Sequence, residues 1–337
     1  MATVTELKTL IKSALTPASA NFSADNALVE AICETYDLRT ASAREIRAHQ
    51  AEVFALIEEQ IEAVLPKAVE NIVGGFAEVK TFAYDAEPVF ELKGMGKARA
   101  RMGIVPGARA GIYKARRLDN KYVSVPVKVE TVAVMVTLEE ILLGKMSLAE
   151  LMANIANGYA ELIYINAIKA LRTAKTLAPA ANCKTGSGFD GAALDGLVSI
   201  ARAYGSPVIM GFRSALSKIN NGAGWDNVTP NISAADADDI RRAGVIAMYH
   251  GVPVVELPNY LVDETNSGFV FSEGDIFVLP AESRPVKVAM KGDLVIVENQ
   301  HATGSMEQQA HRLMGVGLVL ANNVCVYTDS SISGGIA

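Results

Sequence analysis

The longest regular pattern of apolar positions in the chain runs from Leu148 to about Arg172. Its apolar residues recur at spacings of three and four, the period of a helix with one buried face. They are Leu148, Leu151, Met152, Ile155, Tyr159, Leu162, Ile163, Ala167 and Leu171. The capping-box sequence Ser147-Leu-Ala-Glu150 stands at its start. The pattern predicts one helix of about 25 residues, about 37 Å long at about 1.5 Å per residue.

A second helical pattern precedes any strand signal. It follows the capping box Ser42-Ala-Arg-Glu45 and consists of Val53, Leu56, Ile57, Ile61 and Leu65. Pro66 predicts the end of this helix, because proline removes a hydrogen-bond donor from the helix interior. The pattern fits a helix packed on the body or an extended arm, with Gly74-Gly75 as a hinge.

Alternation of apolar and polar residues indicates the first strands. Val123, Val125, Val127 and Val129 alternate with polar residues and proline, which predicts one strand over Tyr122 to Val129. Pro126 cannot donate to a ladder, so this strand is expected at a sheet edge or in a solvated limb. Other strands are predicted at 79–83 and 88–93, and Thr137-Leu-Glu-Glu140 is expected to begin a short helix.

The second half of the chain has the pattern of a compact α+β unit. Helices are predicted at 191–203, 214–219 and 234–242. Strands are predicted at 207–210, 245–249, 253–257, 269–271, 275–279, 285–290, 294–298, 308–320 and 324–327.

A basic, glycine-rich segment separates the early strands. Between Gly94 and Gly111 there are five glycines and Pro106, a density that a helix does not tolerate. Residues 85–121 hold nine basic and four acidic residues and are therefore +5, whereas the chain as a whole is −6. The remainder is −11, and a basic segment on an acidic body suggests contact with another copy. A solvated loop and contact with nucleic acid are the alternatives.

The composition is that of an ordinary globular protein. Half of the 337 residues are apolar, a fifth are charged, and no apolar run reaches the about 18 residues that a membrane helix needs. The three cysteines, Cys33, Cys183 and Cys325, are widely spaced, which favours reduced thiols in a cytosolic setting.

No motif indicates an enzyme or a cofactor. Gly94-Met-Gly96 with Lys97 lacks the rest of a phosphate-binding loop. His301 and His311 lie ten residues apart with no cysteine nearby, a weak metal pattern. Ser187 does not stand in a nucleophile elbow. We expect no catalytic, cofactor-binding or metal-binding residues.

The order of these elements resembles the tailed-phage major capsid proteins of the Hong Kong 97 type. The resemblance covers about residues 75–328 and depends on order and spacing more than on single motifs. It is carried by 88–121, 132–143, 148–172, 207–219, 251–255, 274–279 and 308–318.

This resemblance implies an α+β fold with an arm, a long hairpin, a peripheral domain and an axial domain. The expected parts are an N-terminal helical arm (1–84), the extended loop (85–122), a peripheral domain with the spine helix (123–180), an axial domain (181–300) and return strands to the peripheral domain (301–337). Residues 1 to about 70 are expected to contact other copies more than their own body.

The function that the resemblance implies is structural. The chain would self-assemble as pentamers and hexamers into the icosahedral head of a tailed phage, enclosing double-stranded DNA without sequence-specific binding. A portal and a separate scaffolding protein are expected partners, no membrane is involved, and assembly would occur in the host bacterial cytoplasm before the protein resides in the virion. The alternatives are an encapsulin-like cellular nanocompartment shell and a cytosolic α+β enzyme.

The resemblance to these capsid proteins also indicates candidate residues for contacts between subunits. The extended loop supplies Lys93, Lys97, Arg99, Arg101, Arg109 and Lys114 as an assembly interface. Trp225, the single tryptophan, either fills its own loop or contacts a neighbouring axial domain. Some family members form lysine–asparagine cross-links assisted by a glutamate; Asn299 and Glu307 could serve, but their surroundings match poorly. An uncleaved arm is the simpler expectation for the N-terminus.

Overall fold

The computed structural model describes residues 30, 34–35, 43–92, 121–134, 148–222, 234–263, 265–300 and 306–332. The helices in these ranges are α1 (Ala43–Val73), α2 (Leu148–Arg172, the spine helix), α3 (Ala174–Leu177), α4 (Gly191–Tyr204), α5 (Arg213–Gly222) and α6 (Ala234–Ala243). Within these ranges, no helix is long and apolar enough to span a bilayer.

Twelve strands form three sheets within the described ranges. The first half of the chain contributes β1 (Ala77–Phe82), β2 (Val89–Leu92), β3 (Lys121–Ser124) and β4 (Lys128–Val134). The second half contributes β5 (Cys183–Gly186), β6 (Pro207–Gly211), β7 (Met248–Tyr249), β8 (Val252–Glu256), β9 (Asp275–Pro280), β10 (Val286–Gln300), β11 (Met306–Leu318) and β12 (Cys325–Asp329).

The four-stranded sheet has the order β1-β10-β11-β4, and helices cover one of its faces. Strand residues alternate between the two faces. Val286, Val288 and Met290 therefore face the core with α1 and the spine helix, whereas Lys287 and Ala289 point to the opposite face, here called the outer face.

The six-stranded sheet has the order β5-β12-β9-β6-β8-β7 and is covered on both faces. In β9, Phe277 and Leu279 belong to the same core as the spine helix, while Ile276 and Val278 pack with α4 and α5. All six residues of β9 are buried, and the five that follow Asp275 are all apolar, as a strand covered on both faces requires.

The spine helix confirms the longest sequence pattern, since it covers Leu148–Arg172. Ile155 and Tyr159 are buried in the main core, and Leu162 packs against it. The side chain of Leu151 lies outside the described residues.

Helix α1 contradicts the expected stop at Pro66, because it continues through this proline to Val73. Ile61, Leu65, Val69 and Val73 follow one another at intervals of four and are all buried against the spine helix and the sheet. The free energy gained by burying these four side chains outweighs the loss of one helical hydrogen bond at Pro66. The last part of α1 and the edge strand β1 therefore belong to the body, and 1–84 is not an arm throughout.

Two strands lie on the other side of the expected domain boundaries. Strand β10 was expected in the axial part but pairs in the four-stranded sheet, and β12 was expected with the return strands but lies between β5 and β9. Apolar alternation identifies a strand but not its partner, so the sequence alone could not show which sheet either strand joins. The division into domains otherwise stays a prediction.

Several shorter elements also differ. The strand expected at 245–249 is reduced to Met248–Tyr249, and the one at 269–271 is a single bridge between Leu261 and Phe269. The strands expected at 285–290 and 294–298 are one strand, β10, whose register shifts between Lys291 and Val295.

Candidate assembly interface

The seven residues predicted at subunit contacts all lie outside the described residues. They are Lys93, Lys97, Arg99, Arg101, Arg109 and Lys114 in the extended loop, and Trp225. The structure describes both ends of the extended loop, and these ends with the sheet beneath them form the candidate interface.

Strands β2 and β3 join the two ends of the extended loop as an antiparallel ladder. Phe90 lies opposite Val123, and the Val125 N–H donates to the Pro88 carbonyl at 3.0 Å. The chain therefore leaves the described body after Leu92 and returns to it at Lys121 directly alongside, as the base of a hairpin requires.

A small apolar cluster fixes this ladder to the outer face of the four-stranded sheet. Phe90 and Val125 are buried there against Ala289 of β10. Phe82 of β1 meets the Phe90 ring edge-on, with centroids 5.6 Å apart, and Lys80 Nζ lies 5.2 Å from the Phe90 centroid. Aromatic and cation–π contacts of this kind add to the burial of apolar area.

Residues 125–127 leave the sheet edge and cross over β11, which is why Tyr122–Val129 is not one strand. A Cβ atom on Gly315 would lie 2.2 Å from the Pro126 carbonyl oxygen, so only glycine permits this crossing. A Cβ atom on Gly317 would lie 3.6 Å from a methyl group of Val125. The crossing places the base of the extended loop on the outer face.

Tyrosine hydroxyls attach the spine helix to its surroundings. Tyr159 donates to the Ala310 carbonyl of β11, and Tyr164 donates to the Pro258 carbonyl. Burial raises the pKa of Tyr159 to about 12 and raises that of Tyr164 as well. Both hydroxyls therefore remain protonated donors across the physiological range.

Acidic residues of α1 attach this helix to the same sheet. Glu58 accepts from the Ile296 N–H, and Glu62 lies 3.4 Å from Nη2 of Arg312, whose side chain is buried beneath the helix. Burial lowers the pKa of Arg312. Burial also raises the pKa of Glu62, more than the nearby Arg312 guanidinium lowers it.

A buried aspartate closes the six-stranded sheet at the end of β12. Asp329 accepts from the N–H groups of Gly188 and Ser331, at 2.8 and 2.9 Å, and from Lys218 Nζ at 3.0 Å. Burial alone would raise the pKa of Asp329, but hydrogen bonds from Ser331, Gly188 and Lys218 lower it to about 2.

Large apolar side chains remain exposed beyond the base of the extended loop. On the outer face, Val129 is 60% exposed, and Val295 and Val297 of β10 are 51% and 40% exposed. The sequence Leu294-Val-Ile-Val297 predicted a strand, but its pattern did not show which face of that strand would stay exposed to solvent. These valines are candidate contact residues that the sequence analysis missed.

The described residues contain no cluster of three or more histidine, cysteine, aspartate or glutamate side chains suited to a metal ion. His311 Nδ1 lies 2.8 Å from Thr131 Oγ1, while His301 lies outside the described residues. Asn299 and Glu307 are partners in the β10–β11 ladder.

Comparisons with known proteins agree with this architecture. A family model described as "SPbeta prophage-derived putative capsid protein YonB" matches residues 6–326. No curated protein matches the chain in sequence.

Solved structures of capsids are similar to the chain. A chain of the satellite phage P4 procapsid, with its size determination protein, is 12% identical with a TM-score of 0.51, covering 86% of this chain and 98% of that one. A chain of the bacteriophage PhiM1 mature capsid is 14% identical with a TM-score of 0.49, covering 77% and 87%. The P4 likeness supports the expected α+β fold of the Hong Kong 97 type.

The family match spans almost the whole chain, including the spine helix, both large sheets and the extended loop. The chain belongs to the YonB family of prophage-derived phage capsid proteins and is a structural subunit of a phage head shell.

Proposed function

We propose that the chain builds a closed icosahedral shell of pentamers and hexamers around double-stranded DNA, and that the extended loop holds neighbouring subunits together. The proposed function is assembly without catalytic turnover. A separate scaffolding protein and a portal would complete the head in the cytoplasm of the host bacterium.

The observation that carries this proposal is the packing of both ends of the extended loop on the outer face. Phe90 and Val125 are buried, so the loop starts from a fixed base. A two-stranded hairpin is at best marginally stable by itself in water, so residues 93–120 need contacts beyond their own two strands. Residues 85–121 carry a net charge of +5 and the rest of the chain −11, and this difference favours contact between the loop and another copy.

Negative-stain micrographs of the purified protein test the shell itself. We expect closed particles of uniform diameter. Only monomers or irregular aggregates, under conditions in which the protein is folded, would contradict assembly from this chain alone.

Charge reversal tests the role of the extended loop. Replacing Lys97, Arg99 and Arg101 by glutamate should leave a folded, soluble subunit that forms no closed shells. Each exposed ion pair contributes only about 0–1 kcal/mol, but a shell repeats the contact in every copy. The matched control reverses three exposed bases elsewhere, Lys67, Lys184 and Arg242, with the same change in net charge.

Salt provides an independent test of the same contact. The Debye length falls from about 10 Å at 0.1 M salt to about 3 Å at 1 M, so the yield of shells should fall as salt rises. Normal particles from the loop variant, or shell yields that do not depend on salt, would refute the contact and leave a solvated loop.

A further inference from the structure

Strand β11 extends beyond the strand that covers its outer edge. On one side it pairs with β10 as far as Leu318, but on the other side β4 reaches only Met314, opposite Lys128. Among the described strands, none pairs with that second edge over 315–318. Four residues of β11 therefore have one strand neighbour instead of two.

The hydrogen-bond pattern shows which backbone groups face the open edge. The Val319 N–H donates to the Pro285 carbonyl at 3.0 Å, and the two residues are opposite each other in the antiparallel register. Hydrogen-bonded pairs alternate along an antiparallel ladder. Gly317 and Gly315 therefore bond to β10, whereas the N–H and C=O groups of Val316 and Leu318 point to the open edge.

The open edge lies in a groove rather than on a flat surface. The groove has a volume of about 350 Å³ and separates 315–318 from the spine helix, where Ile163, Asn166, Lys169, Ala170 and Thr173 line it. It continues the line of β4, whose Lys128 and Glu130 close one end. It exists because residues 125–127 cross over Gly315 instead of continuing along the edge.

The sequence of the edge contains no residue that prevents pairing. Charged residues, proline and bulges commonly prevent pairing there, but the sequence is Gly315-Val-Gly-Leu318. At the groove, Lys128 is paired with Glu130 at 2.7 Å, whereas Lys169 has no ion-pair partner among the described residues. The Lys169 ammonium at the rim of the groove would attract an acidic segment. Another copy of this chain can supply one, because the chain is acidic overall, with a net charge of −6.

We propose that an extended segment of a second copy of this chain pairs with Val316 and Leu318 as an added strand. The four-residue edge spans about 13 Å at about 3.3 Å per residue, room for a short strand. Strand addition uses main-chain hydrogen bonds for affinity, and neighbouring side-chain pockets give specificity. The proposal rests on shell assembly, which brings copies of the chain into contact, but does not depend on the charges of the extended loop.

Residue-resolved hydrogen exchange tests the proposal on the full chain. Shells and monomers separated by size exclusion would be labelled, quenched, dissociated and analysed by mass spectrometry with electron-transfer fragmentation. The amides of Val316 and Leu318 should exchange at least about tenfold more slowly in shells than in monomers. The amides of Gly315 and Gly317 are the internal control and should be protected in both states, because they bond to β10.

The outcomes separate this inference from the proposed function. Shells in micrographs with unchanged exchange at Val316 and Leu318 would overturn the added strand and leave shell assembly intact. Protection already present in monomers would also overturn it, because the chain's own residues would then cover the edge. A failure to form any shell would overturn both proposals.

A variant identifies the groove as the contact. Asn166→Trp should fill the groove from the spine helix, lower the yield of closed shells and remove the extra protection of Val316 and Leu318, while the monomer keeps the wild-type circular dichroism spectrum. The same substitution at Asn157, an exposed position of the spine helix outside the groove, is the control and should leave both the yield and the protection unchanged. A folded Asn166→Trp subunit with wild-type shells and protection would refute the proposal.

Discussion

Arg172 Nε lies 2.9 Å from a carboxylate oxygen of Asp275 and joins the end of the spine helix to the six-stranded sheet. Lys175 Nζ lies 2.5 Å from the other oxygen, and the Thr328 hydroxyl donates to that oxygen at 3.0 Å. The Asp275 side chain is 1% exposed, whereas Arg172 and Lys175 are 21% and 31% exposed. One buried acid thus holds two bases from consecutive helices against β9.

Replacing Asp275 by asparagine should lower the free energy of unfolding of the monomer by about 3–5 kcal/mol, because it removes one partner from a buried ion cluster. Urea titration followed by circular dichroism measures the change. The matched control is Asp238→Asn, which removes an exposed ion pair with Arg241 and should change stability by less than about 1 kcal/mol. Equal effects of the two variants would contradict a joining role for Asp275.

The stability of the protein should depend on Asp329 in acid. Its folded-state pKa of about 2 lies below the about 3.9 of an unfolded aspartate. The unfolded chain therefore takes up the proton first, and the stabilisation is present above about pH 4 and is lost as pH falls toward 2. Asp329→Asn should be less stable than wild type at pH 7 by about 2 kcal/mol, and this difference should shrink between pH 4 and pH 2. Thermal unfolding of both proteins across this pH range measures the difference in stability. A difference that stays the same from pH 4 to pH 2 would contradict a role for Asp329 protonation.

Two glycine-to-alanine substitutions, one of them at the crossing over β11, should change the stability of the monomer in opposite directions. Gly315→Ala places a Cβ atom against the Pro126 carbonyl and should destabilise the monomer by about 1–3 kcal/mol. Gly196→Ala, in helix α4 with no atom within 4 Å of the added Cβ, should stabilise it by about 0.5–1 kcal/mol. Urea midpoints compare the two, and a neutral Gly315→Ala would mean that the crossing does not need glycine.

The burial of α1 predicts that part of the expected arm is needed for folding. Leu65→Ala should lower the free energy of unfolding by about 2–5 kcal/mol, because it leaves a cavity between α1 and the spine helix. Lys67→Ala, at an exposed position of the same helix, should change it by less than about 0.5 kcal/mol.

A deletion series extends this prediction. Removing residues 1–70 should give insoluble protein, because Ile61, Leu65 and Val69 leave the core. Removing residues 1–42 leaves all described core residues in place and should give folded protein. A folded monomer from the longer deletion would restore the original expectation of an arm that reaches to residue 70.

Local patterns predicted the elements whose signals are long and regular. The spine helix follows from the spacing of apolar residues such as Ile155 and Tyr159, because a helix brings every third or fourth residue to one face. The hairpin base likewise follows from the alternation around Val123, together with the glycine-rich segment before it. The order of such elements was enough to identify the family resemblance.

The partners of these elements depended on contacts between distant residues. Pro66 does not end α1, because four buried residues on one side of the helix are held by the spine helix and the sheet. Strand β12 lies beside β5 and β9, although its alternation would suit either sheet. The open edge at Val316 and Leu318 exists only because a carbonyl of Pro126 passes over Gly315, more than 180 residues away in the chain. Periodicity is a local property of the chain, whereas pairing and burial are settled by which distant surfaces fit, and only the tertiary structure contains that information.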